Sequence, residues 1–309
     1  MLIEQLVRDF LADCEKRTML PADNDDRLSR KTVREYRQPL EQVLLPFCTR
    51  EAIAEIADLG QEALEKLRGD LATNGAKSGR ALKTPTVNSY LRSINACLNW
   101  GRKKNRGVTA TVKLYKQKRP KYDVLSRDEI SRIEAAAERE RDRLIVRLLA
   151  DTGVRVGELV GLRTTDIKAS EGGRVFIQVT GKTDERDVPI MPELHKRLRR
   201  YIAETRPKRA ESDRVFLGLR RRPGGSVEAL TESGIQQIIR ELAETAGIGR
   251  RVHPHLLRHS FITDRLNRRM SPIHIKEMVG HKSMTMIDRV YSHIKPADVY
   301  EEMARSEAR

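Results

Sequence analysis

His253-Pro254-His255-Leu256-Leu257-Arg258-His259, with Val279-Gly280-His281 and Val290-Tyr291-Ser292-His293 after it, is the stretch on which the reading of this 309-residue chain turns. His255 and Arg258 lie three apart in a segment that reads as a helix, so both leave one face and can grip one anion. Gly280 follows the apolar positions Ile273, Ile275, Met278 and Val279, where a glycine fits the left-handed turn that ends a helix and would return His281 toward the same place. Tyr291 comes ten residues after His281. Its phenol, with an ordinary pKa of about 10, is a poor nucleophile at neutral pH unless cations surround its target.

The charge balance names the kind of target. Sixty Lys and Arg against 44 Asp and Glu leave a net charge of +16, an excess that fits a polyanion. The excess is concentrated. Leu71 to Tyr122 holds thirteen Lys or Arg and no Asp or Glu, whereas residues 1–70 carry more acids than bases. The run also has a regular apolar pattern and therefore folds, which favours a phosphate backbone over a membrane surface or a disordered tail. No apolar run approaches the roughly 20 residues of a membrane span. The start Met1-Leu2-Ile3-Glu4-Gln5 lacks the features of a secretory signal, so a cytoplasmic, nucleoid-associated protein is expected. Cys14, Cys48 and Cys97 are odd in number and far apart, and read as reduced core thiols.

Length allows two domains. Residues 1–106 read as a helical one: an amphipathic helix over 1–19, a second over 32–47, a third over 61–73 ending at Asn74-Gly75, and a fourth opened by Thr84-Pro85 and running to Lys103. On the fourth, Thr86, Asn88, Ser89, Arg92 and Ser93 occupy other faces than the apolar one. They suit either a solvated surface or a DNA major groove, and the acid-free surroundings favour DNA. Lys77, Arg80, Lys83, Thr86, Asn88, Arg92, Arg102, Lys103 and Lys104 are the candidate DNA contacts. Residues 107–123 read as a basic linker able to follow the DNA backbone.

The second domain, residues 124–309, opens on the capping box Ser126-Arg127-Asp128-Glu129. An apolar helix through Leu144, Ile145, Leu148 and Leu149 is closed by Thr152-Gly153. Arg155 then stands at a junction, where it reads as a surface residue, a helix cap, or a guanidinium oriented by Glu158 three residues on. Residues 174–179 and 186–190 read as strands of a hairpin with Lys182 at its tip, a place where lysine is usually mere solubility. Helices follow over 193–205 and 232–246, and a short one over 297–307.

Thr152-Gly153-Val154-Arg155-Val156-Gly157-Glu158-Leu159, Gly181-Lys182, His255-Leu256-Leu257-Arg258-His259, Val279-Gly280-His281 and Tyr291-Ser292-His293 resemble, in order and rough spacing, the motifs of the tyrosine recombinases, the phage-integrase family. The first domain is similar to that family's core-binding domain, including Thr86-Val87-Asn88-Ser89-Tyr90-Leu91. The chain looks like a simple two-domain, Xer-like member that begins directly at this domain. The resemblance implies a mainly α fold with a small β-sheet: an all-helical SAM-like core-binding domain and a mixed α/β catalytic domain. It implies that Tyr291 attacks a DNA phosphate, leaving a 3′-phosphotyrosyl bond and a free 5′-hydroxyl, on the way to a Holliday junction. Arg155 and Arg258 would hold the nonbridging oxygens, since planar guanidiniums suit phosphate. His255 and His281 would add hydrogen bonds, with one of them accepting the tyrosine proton, and Lys182 would protonate the leaving oxygen.

Neither metal nor ATP is implied as a cofactor, because the arginines stabilise the charge and the phosphotyrosine conserves the bond energy. The implied partners are double-stranded DNA with paired inverted core sites and a tetramer assembled on it, with room for an accessory directionality factor and with no membrane. Thr183 stands where a glycine is common, which loosens the assignment of Lys182; Arg186, the other base of the hairpin, cannot act as an acid. Three other readings stay open: a metal site built from His253, His255, His259, His281 and His293, a non-catalytic DNA-binding protein, and a type IB topoisomerase that relaxes DNA without paired sites. The terminal helix can pack on its own chain or on a neighbouring protomer.

Overall fold

The computed structural model describes residues 1–21, 24–75, 81–117, 123–170, 172–181, 185–207, 212–221, 227–280 and 303–304. The chain divides into two compact units, Met1–Pro120 and Lys121–Arg309. Among the described residues no helix is long and apolar enough to cross a membrane.

The first unit is helical: α1 (Ile3–Thr18), α2 (Arg30–Pro39), α3 (Leu45–Arg50), α4 (Gln61–Thr73) and α5 (Thr84–Lys103). Ile3, Leu6, Val7, Phe10, Leu11 and Cys14 form the buried stripe of α1, and Val87, Leu91, Ile94, Cys97 and Leu98 that of α5. The two helices approach so closely at Gly101 that a Cβ there would lie 2.8 Å from a Leu6 methyl. The helix expected over 32–47 forms and runs without a gap from α2 through a π-helical turn at Leu40–Leu44 into α3. Pro39 and Pro46 flank the turn, and neither has an N–H to give to the helix ladder. All three cysteines are free and buried.

Residues 108–115, expected in the linker, are bound to α5. The Asn95 amide donates to the Val112 carbonyl (2.8 Å) and accepts from its N–H (3.0 Å). Seven residues earlier on the same face, Asn88 does the same with Tyr115, at 2.9 and 2.8 Å. Tyr115 in turn donates to the Arg68 carbonyl, while the Arg68 guanidinium lies 4.5 Å over its ring.

The second unit comprises α6 (Arg127–Ala135), α7 (Glu140–Thr152), α8 (Val156–Gly161), β1 (Ile167–Ala169), β2 (Val175–Thr180), β3 (Glu185–Ile190), α9 (Pro192–Arg200), β4 (Leu217–Arg221), β5 (Val227–Ala229), α10 (Glu232–Thr245), α11 (Pro254–Asn267) and α12 (Pro272–Val279). The capping box at Ser126 and Glu129 forms as expected and starts α6. The apolar helix α7 lies in the core with Leu144, Ile145, Leu148 and Leu149 fully buried, and packs on α11. Strands β1, β2 and β3 form an antiparallel sheet in that order, with Val175 opposite Ile190, Ile177 opposite Val188 and Val179 opposite Arg186. The β2–β3 hairpin was expected. The short β1 and the β4–β5 hairpin were not, since the three-residue β1 and β5 leave no alternation to read.

Candidate active site

Helix α7 ends at Gly153, whose φ of +64° is the left-handed turn; a Cβ there would stand 2.5 Å from the Phe261 ring of α11. Only glycine allows both the turn and that approach. The chain leaving the turn places Arg155 as the N-cap of α8. Three residues on, the buried Glu158 carboxylate accepts from the Arg155 amide (2.7 Å) and from Arg155 Nη1 (2.8 Å). This is the paired form of the junction arginine weighed from the sequence.

Strand β3 supplies the other half of the grip. Arg186 lies on the same face of the strand as the buried Val188 and Ile190, and its Nη1 and Nη2 each donate to one oxygen of Glu158 at 2.8 Å. Glu158 thus accepts four hydrogen bonds, about the full capacity of an ionised carboxylate. Burial by itself would push this carboxyl up; the bonds from Arg186 and from the Arg155 amide, with the charge of Arg186 and the Arg155 side-chain bond, outweigh it and hold the pKa at about 2.

Helix α11 brings the third guanidinium. His253 caps it, accepting the Leu256 N–H on Nδ1 at 3.1 Å. Arg258 is 3% exposed; it donates to the Gly153 carbonyl and, at 2.6 Å, to the Val279 carbonyl. Burial first, then the neighbouring Arg155, pulls its pKa down to about 9. It is still a cation at neutral pH, but one held with too little negative charge around it.

The three arginines meet at the end of α12. Arg186 Nε donates to the Met278 carbonyl (2.8 Å), Arg258 to that of Val279, and Arg155 Nη2 to that of Gly280 (2.6 Å). The last carbonyls of a helix lack partners within it and form its negative end, so cations are favoured there. Gly280 makes the expected left-handed stop at φ +63°, and a Cβ at this position would lie 2.7 Å from Arg186 Nη1. Three guanidiniums against one carboxylate leave two uncompensated positive charges among these four side chains. Capping a helix end does not require that surplus. A bound oxyanion would offset it.

His255 is exposed in the first turn of α11. Partial desolvation, then Arg258 and Arg155, lower its pKa, so the imidazole is neutral at pH 7. His259 is driven further down, to about 4, by burial and then by His255, Arg258 and His253. Among the described residues no three His, Cys, Asp or Glu are grouped to hold a metal ion.

Of the residues singled out in the sequence, the structure brings together Arg155, Glu158, His255 and Arg258. Lys182, His281 and Tyr291 lie outside the described residues, as do Lys77, Arg80 and nearly all of the 297–307 segment. Lys83, Thr86, Arg92, Arg102, Lys103 and Lys104 are exposed on or beside α5, although Arg102 also donates to the Val108 and Thr109 carbonyls. Asn88 is a correction: it is 1% exposed and its amide is occupied by Tyr115, so it holds protein and is not presented to DNA. Ser93, on the same helix, is also buried and bonded to the Glu35 and Ser89 carbonyls. Sequence reasoning gave Arg186 no role. The signal was present, since its alternation with Val188 and Ile190 put it on the inward face of a strand.

The sequence profile of the phage integrase family matches residues 123–298. A tyrosine recombinase XerD of Staphylococcus haemolyticus is 27% identical over 281 residues, 88% of this chain and 90% of the relative. A tyrosine recombinase XerC of Oceanobacillus iheyensis is 33% identical over 173 residues, 55% of this chain and 54% of the relative. Among solved structures, the fold is similar to XerH site-specific recombinase bound to difH substrate in a pre-cleavage complex (TM-score 0.68, 20% identity, 97% of this chain and 94% of that one). It is also similar to the Tn1549 transposon integrase in complex with transposon right end DNA (TM-score 0.72, 16% identity, 99% and 100%). A lambda integrase tetramer bound to a Holliday junction shares it as well (TM-score 0.67, 16% identity, 94% and 77%). With that match over more than half its length, the chain belongs to the phage integrase family and is an Xer-like tyrosine recombinase.

Proposed function

We propose that this chain cuts and rejoins double-stranded DNA at paired inverted sites through a 3′-phosphotyrosyl intermediate and a Holliday junction. The observation that carries the reading is the meeting of Arg155 and Arg258 at the Val279–Gly280 carbonyls, in a cluster of three guanidiniums that share one carboxylate, Glu158. Guanidiniums fixed in advance stabilise the charge that grows on a phosphoryl group without reorganising at the moment of reaction. In this reading Arg155 and Arg258 hold the nonbridging oxygens, and neutral His255 donates a hydrogen bond to one of them. The motif resemblance supplies the remaining roles: Tyr291 attacks phosphorus, the bond to the 5′-oxygen breaks, Lys182 protonates that oxygen, and His281 or His255 takes the phenolic proton. Reversal by another strand's 5′-hydroxyl releases the tyrosine and restores the DNA. The exposed bases of α5 and its end, Lys83, Arg92, Lys103 and Lys104, would follow the backbone. A tetramer on two sites, a directionality factor and a cytoplasmic, nucleoid-associated location complete the proposal.

The test is a nicked duplex whose site the wild-type protein has selected from a random pool. Tyr291→Phe should bind it as tightly as wild type and form no covalent complex. An adduct that persists in that variant refutes the assignment, and relaxation of plasmid lacking paired sites would point to a topoisomerase instead.

A further inference from the structure

We infer that Arg186 is a positioning residue of this site: it fixes the Glu158 carboxylate that aims Arg155, and at the same time fixes the carbonyl turn on which all three arginines meet. The inference rests on the reading of Arg155 as a phosphate ligand. The division of labour shows in exposure, since the Arg155 side chain is 40% exposed whereas that of Arg186 is 13% and that of Glu158 3%. All three nitrogens of Arg186 are engaged by protein, Nε by Met278 O and the two Nη by the two Glu158 oxygens. Both Nη of Arg186 are spent on the Glu158 carboxylate, so Arg186 acts on its neighbours and is not offered to an anion, whereas the buried Arg258 donates its Nη groups to neutral carbonyls and keeps its charge for a ligand.

The geometry says what it acts on. A carboxylate bonded by Arg155 alone can rotate about its last torsion, because terminal sp³–sp² torsions are broad. Two parallel bonds from a planar guanidinium fix the plane. With that plane fixed, Glu158 accepts the Arg155 amide on one oxygen and Arg155 Nη1 on the other, and the Arg155 guanidinium has one direction to point. The same Arg186 ties α12 to β3 through Met278, so the Gly280 carbonyl that receives Arg155 Nη2 is set by the same side chain. A Cβ on Gly280 would stand 2.7 Å from Arg186 Nη1, so the guanidinium fits this close only against a glycine.

A double-mutant cycle on the selected nicked duplex tests this. Arg186→Met should keep duplex affinity within about twofold and slow covalent-complex formation about 10²-fold, the usual effect of misplacing a reacting group by an ångström. Arg186→Lys keeps the charge but cannot bond both oxygens, and should recover only part of the rate. Placed on Arg155→Ala, Arg186→Met should cost less than about threefold more, since the group it aims is gone. Effects that multiply, an Arg186→Met rate equal to wild type, or full rescue by lysine would each overturn the inference. Should Arg186→Met unfold because Glu158 is left unbalanced, Glu158→Gln/Arg186→Met removes the stray charge and is read in the same cycle. If Arg155→Ala by itself cleaves at the wild-type rate, the reading of the site fails, whatever Arg186 does.

Discussion

Replacing Glu158 by glutamine should destabilise the second unit by an amount that depends on pH in a defined way. In the wild type the carboxyl falls from an ordinary 4.5 to about 2 on folding. A group depressed in the folded state contributes stability above its unfolded pKa and loses it as pH falls through the folded one. The shift corresponds to about 3 kcal/mol at neutral pH, falling to roughly 2 near pH 3.5 and vanishing below about pH 2. Glutamine keeps one acceptor but turns an N–H pair toward the Arg155 and Arg186 donors, and removing one partner of a buried pair costs about 3–5 kcal/mol. His259, held down to about 4, also loses stability as pH falls from about 6.5, but it is common to both proteins and cancels in the difference. The assay is urea denaturation across pH, followed by hydrogen exchange of α7 and α11 amides so that the second unit is read by itself. The gap between wild type and Glu158→Gln should be widest at pH 7 and narrow steadily below about pH 4.5. A gap that stays constant with pH would refute the ionised, arginine-locked state of Glu158.

The two glycine environments predict opposite signs. Gly280→Ala meets both a positive φ and the Arg186 guanidinium and should cost about 1–2 kcal/mol from backbone strain alone, whereas Gly69→Ala, inside α4 with open space around it, should stabilise by about 0.5–1 kcal/mol; thermal melting separates them. Asn95→Ala leaves the Val112 N–H and carbonyl without their side-chain partners, a loss of about 1–3 kcal/mol, and should speed proteolysis near residues 113–117. Duplex affinity should fall steeply with salt, and Lys103→Ala/Lys104→Ala should flatten the log–log slope by about 0.9 for each phosphate contact removed; an unchanged slope would take these two lysines off the DNA.

Much of this arrangement could be read before any coordinates. Helix α5 announced itself through Thr84-Pro85 and a stripe at helical spacing, and the stop at Gly280 through a glycine after an apolar run. Arg155 and Arg258 were singled out from motifs more than a hundred residues apart, and the fold places their guanidiniums on adjacent carbonyls. What escaped was what depends on partners distant in sequence. Asn88 reads as a polar face until Tyr115 folds back over it. Arg186 reads as a hairpin charge until Glu158, 28 residues earlier, is seen to need four donors. The π-helical turn after Pro39 is legible only afterwards, because a proline signals an irregularity without saying which kind.

Met278, Val279 and Gly280 are gripped through their main-chain carbonyls, and a carbonyl is the same in every amino acid. The buried Val279 side chain packs with Phe261, Ile262 and Ile275, so packing restricts which residue stands there, while the three carbonyl bonds restrict the length. Inserting or deleting one residue in α12 would rotate everything beyond it by about 100° and detach three guanidiniums in one step. Such a segment should tolerate a change of length less readily than a change of any one side chain that still fits its core.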